Sequence, residues 1–123
     1  MHRFIIFLIV VLIIYSCSNK SKHENLIAFK QLHIAEFREE EYFKLEEKLE
    51  QLEVKYLNDI IYITYLTEHN ACGEYDGNIK ITNDTIKLKV NLNSDIVCKS
   101  TSIVRITFII NNTFEKEKKI IIE

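Results

Sequence analysis

The stretch SIVRITFII, residues 102–110, decides the fold class. Val104, Ile106, Phe108 and Ile110 alternate with Arg105 and Thr107. A period of two puts every second side chain on one face of a pleated strand. TIKLKVNL, residues 85–92, repeats the pattern, setting Ile86, Leu88, Val90 and Leu92 against Lys87, Lys89 and Asn91. IIYITYL, residues 60–66, is β-branched and aromatic, and NIKI supplies alternating Ile79 and Ile81. The final run, TFEKEKKIII, alternates less cleanly. After Asn58-Asp59 the vocabulary changes to these strands, and Asp76-Gly77, Asn83-Asp84, Asn93 to Asp95 and Asn111-Asn112 punctuate the runs as hairpin turns should. Short connections predict a meander. Without βαβ alternation, a doubly wound nucleotide-binding sheet has no support.

Upstream the vocabulary differs. Ser21 to Asn58 holds neither Gly nor Pro, and only Ile27, Ile34 and Val54 are β-branched. Glu, Lys, Leu and Gln, all strong helix formers, dominate. Ser21 with Glu24 matches a capping box. Tyr42, Leu45, Leu49, Leu52 and Tyr56 recur every three or four residues and gather in one stripe. Phe29 and Phe37 point elsewhere on an ideal wheel, which predicts a break near Glu39–Glu41. The expected fold is therefore α+β. A charged N-terminal amphipathic segment over 22–58, one helix or two, packs on a four- or five-stranded, mostly antiparallel sheet from 59–123. The stripe lasts barely two heptads, so packing on the chain's own sheet is favoured over a coiled coil.

The 123 residues suit one domain. Sixteen basic and 18 acidic residues give a net charge of -2, with no basic field for nucleic acid. Glu39, Glu40, Glu41, Glu46, Glu47, Glu50 and Glu53 read as a solvated face, because Lys44 lies four from Glu40 and three from Glu47.

At the start, Phe4 to Tyr15 forms an apolar run of twelve residues after Arg3. A spanning helix needs about 20, whereas a signal-peptide core needs roughly 7 to 15. Ser16 then supplies a small residue before Cys17. The stretch IIYSC resembles the lipobox of bacterial lipoproteins. The resemblance implies a signal peptide over 1–16, acylation of Cys17 as the new N-terminus, and a lipidated tether over 17–21. Ser18 is not the aspartate that retains some lipoproteins in the inner membrane. SNKSK also lacks an acidic surface-export cluster, so the expected location is the outer membrane, facing the periplasm. The run alone also fits a secreted form cleaved without lipidation, or an uncleaved anchor.

Cys72 and Cys98 remain. In an exported chain they flank the Ile79 and Ile86–Leu92 strands and are expected to form a disulfide. Two reduced buried thiols are the alternative. His69 and Cys72 lie three apart, but a zinc site would need a fourth ligand from far away. His23 and His33 lie on the helical segment with no implied partner. A serine or cysteine nucleophile with a histidine base has no local signature here, although such sites assemble in space. ACGEYDGNIKI, residues 71–81, holds both glycines, Gly73 and Gly77, read as turn residues. It lacks the ligand spacing of an EF-hand and the motif of a phosphate loop. Tyr75 and Asp76 become the candidate exposed contact residues.

These readings predict a lipid-anchored cell-envelope protein, a small protein-binding or structural module without a catalytic constellation or cofactor. Its expected partners are the membrane, through acylated Cys17, and an envelope or extracytoplasmic protein. The alternatives are a lipid- or glycan-binding lipoprotein and, further down, a hydrolase with a spatially assembled site.

Overall fold

The computed structural model describes residues 21–123; the proposed signal peptide and Cys17 lie outside them. The elements are β1 (Leu26–Glu36), α1 (Glu40–Leu45), a 3-10 turn (Glu46–Lys48), β2 (Glu53–Leu57), β3 (Ile60–Asn70), β4 (Tyr75–Ile81), β5 (Thr85–Leu92), β6 (Thr101–Asn111) and β7 (Lys119–Ile122). The chain is a mixed α+β fold whose strands are mostly antiparallel. They form two sheets: four strands ordered β1-β6-β3-β2, and three ordered β4-β5-β7. Among the described residues, β5–β7 is the one parallel strand pair.

The helical reading of 22–58 is corrected. Within that segment helix is confined to α1 and the 3-10 turn, and strands stand on both sides of it. The expected meander is also corrected, because β6 inserts between β1 and β3. The two sheets replace the single one expected.

The alternation of 102–110 sets the core. Val104, Ile106, Phe108 and Ile110 are all fully buried, beside Ile61, Ile63 and Tyr65 of β3. Ile79, Ile86 and Leu88 of the smaller sheet close over them. Two sheets facing through such rows make a sandwich, each side chain exchanging water for apolar neighbours. Phe29 of β1 meets Phe108 edge-on, ring centroids 5.1 Å apart. Asp76-Gly77, read as a turn, instead lies within β4. There Gly77 faces the Phe29 ring, and no side chain would fit. Asn58-Asp59, where the helical segment was expected to end, instead forms a two-residue hairpin turn joining β2 to β3, with Asn58 in the left-handed region at φ 44°.

A second, smaller cluster lies on the other face of the four-stranded sheet. Tyr42 of α1 is buried against Ala35 and Ile103, with Leu45, Leu49 and Leu66 around it. Three members of the helical stripe thus share one contact. Leu52 instead joins the main core, and Tyr56 lies exposed on β2. Among the described residues, α1 and the 3-10 turn cover one end of this outer face.

Candidate functional site

Towards the end where β3 finishes and β6 begins, the inner rows turn polar. His69 stands opposite Ser102, and His33 of β1 stands opposite Val104. Ser102 is fully buried, and its hydroxyl shares a 2.9 Å hydrogen bond with His33 Nδ1. His69 Nδ1 donates to Gln31 Oε1 at 3.2 Å, and its ring stacks on Tyr75 at 3.9 Å. Burial, then the neighbouring His33, holds the His69 pKa below the usual histidine value. A serine beside a histidine is the layout of an activated nucleophile. Here, however, Ser102 faces packed side chains, so the bond orients His33.

The disulfide braces the same end. Cys72 and Cys98 are bonded, with Cα atoms 5.6 Å apart. Asn70 Oδ1 accepts from both of their backbone N–H groups, at 3.0 and 3.1 Å. The bridge withdraws both sulfurs from metal binding. Among the described residues, His, Cys, Asp and Glu side chains form no cluster of three or more able to hold a metal.

Of the two candidate contact residues, Tyr75 is half-buried against His69, and its hydroxyl accepts from Asn70 N at 3.0 Å. Asp76 pairs with Lys22 at 2.8 Å, and that ammonium chiefly holds its carboxyl below the usual range. The structure brings Tyr75 together with His69 and Asn70. The sequence reading missed Gln31, His33 and Ser102 as members of the cluster. Extending the period-two row of β6 back from Val104 would have reached Ser102.

A second site lies on the uncovered outer face. Beside α1 and the 3-10 turn runs a groove of about 390 Å³, lined by Leu45, Lys48, Glu53, Lys55, Tyr62 and Arg105. Strand pairing builds its floor: Lys55 stands opposite Tyr62, Glu53 opposite Thr64, and Arg105 between Leu32 and Leu66. Among the described residues, the ion pairs are Lys22–Asp76 and Lys44–Glu40, so the three groove cations have no carboxylate partner. Exposed Leu32 lies beside Arg105, and exposed Phe37 and Phe43 lie around buried Tyr42. The Tyr42 hydroxyl donates to Glu68, and this bond raises its pKa. Unpaired cations flanked by the apolar rim of Leu32, Leu45 and Tyr62 suit an extended, acidic segment more than a small apolar ligand.

Among the described residues no helix is long and apolar enough to cross a membrane. No protein-family model matches the chain, and no curated protein or solved structure matches it.

Proposed function

We propose that this is a lipid-anchored cell-envelope protein that binds an acidic segment of a protein partner across the outer face of its four-stranded sheet. The observation that carries this reading is the groove at Lys48, Lys55 and Arg105. Three cations there face one carboxylate, Glu53, on a sheet face left open beside α1. Steering by such a field speeds encounter with an acidic surface, and the apolar rim holds it afterwards. The anchor comes from the lipobox resemblance at Cys17, which gives the module its envelope address. Holding a lipid or glycan between helix and sheet is the weaker reading, because Tyr42, Leu45 and Leu49 pack directly against Ala35, Ile103 and Leu66 there.

The test is site-specific photo-cross-linking in envelope membranes carrying the full chain. A photoreactive residue at Tyr62 should give one discrete adduct, and the same group at exposed Lys80 of the smaller sheet should give none. Lys55→Glu with Arg105→Glu should abolish the adduct. An adduct from Lys80 alone, equal adducts from both positions, no adduct at all, or indifference to charge reversal refutes the reading.

A further inference from the structure

The loop between β5 and β6 holds the most exposed large apolar side chain among the described residues: Ile96 is 74% exposed and its neighbour Val97 54%. These side chains are held out by a structured loop. Asn93 N donates to Glu74 O at 2.7 Å, Glu74 N donates to Ser94 Oγ at 3.0 Å, and Cys98 is tied to Cys72. Adjacent apolar residues kept in water on a braced loop mark a contact surface.

The start of the described chain lies beside that loop. Residues preceding β1 run back along β4: His23 N donates to Asn78 Oδ1, and Lys22 Nζ reaches Asp76 Oδ1, each at 2.8 Å. Lys22 shares a small cleft with Leu92 and Asn93, the residues that open the loop. Leu92 is itself exposed. From Cys17 to Lys22 the chain takes five steps, and an extended chain spans at most roughly 3.6 Å per residue. An acyl anchor on Cys17 therefore keeps Lys22 within about 18 Å of the bilayer surface. This brings the disulfide end of the sandwich towards the lipid.

We propose that Leu92, Ile96 and Val97 form a membrane-contacting tip that inserts into the bilayer carrying the acyl anchor and fixes the domain's orientation on it. The occupant is the lipid surface itself. The inference rests on the lipid-anchor reading of Cys17. It goes beyond that reading by assigning the end of the domain that meets the membrane. Apolar side chains at the headgroup boundary gain from burial in the acyl region, while the acyl chains provide the main affinity. The outer-face groove then stands to the side of the contact, open to a partner.

The chain contains no tryptophan, so a single introduced one reports its own surroundings. Full-length acylated protein would carry Ile96→Trp, Val97→Trp or, in the β4–β5 turn at the opposite end, Asn83→Trp. Each would be reconstituted into phosphatidylethanolamine–phosphatidylglycerol vesicles with brominated acyl chains, and intact mass would verify both acylation and the disulfide. Emission from Ile96→Trp and Val97→Trp should be blue-shifted and quenched severalfold more than that from Asn83→Trp. Acylated, vesicle-bound protein with equal quenching at all three positions, or none, overturns the membrane tip and leaves the anchor standing. Absence of acyl mass on Cys17 overturns the anchor and the tip with it.

Discussion

At Gly77 the absence of a side chain lets the two sheets approach. A Cβ there would overlap the edge of the Phe29 ring, which is itself held edge-on against buried Phe108. Since the ring has little room to move, Gly77→Ala should destabilise the fold by about 1–3 kcal/mol, read as a lower urea midpoint with an unchanged slope. His69 argues differently. Its folded pKa lies below the unfolded value of about 6.5 because burial disfavours the charged ring. The unfolded chain therefore takes up a proton first as pH falls. Stability is fully present above the unfolded pKa and declines as pH drops below it towards the folded one. The urea midpoint should be lower near pH 5 than near pH 7.5. His69→Gln should flatten that difference, and an unchanged pH dependence in the variant would assign it to other groups.

Among the elements, β3 to β6 were legible because burial on one face imposes a period of two, and Ile86, Leu88, Val104 and Ile106 keep it without interruption. β1 was not. Its pairing with β6 shifts register between Leu26 and Ala28 and again between His33 and Ala35. Each shift moves the side chains that follow to the other face. Phe29, Gln31 and His33 therefore share the inner face, while Ala35 opposes Ile103 on the outer one. A strand interrupted this way, written in Leu, Ala, Lys and Gln, imitates the irregular spacing of a helix. The stripe Tyr42–Leu45–Leu49 was read correctly as a shared surface, but its helical rule stopped at the turn, beyond which Leu52 obeys strand geometry. The groove was invisible for a related reason. Its cations come from a 3-10 turn and two different strands, and only pairing brings them together.

For the whole molecule, the disulfide links the β3–β4 and β5–β6 connections and so closes a loop 26 positions long. In the chain-entropy account, opening it by Cys72→Ser with Cys98→Ser should cost roughly 3–4 kcal/mol, measured as the shift in urea-derived stability between the two oxidised and bridge-free proteins. A loss near zero would mean that strain or residual structure offsets the constraint. The partition into two facing sheets was not legible for a general reason. Alternation identifies which face of each strand is apolar, but not which of those faces will meet. Strand order has a further consequence in time. Among the described residues, β6 is the strand that joins β1 to β3, and it follows both in synthesis. A nascent chain ending at Ser100 therefore holds two halves of a sheet with no centre. Completing the larger sheet must wait for pairings far apart in sequence, which favours slow closure. If the chain is exported as proposed, delay of that kind would keep it threadable, and the position of one strand would set when the protein becomes too folded to move.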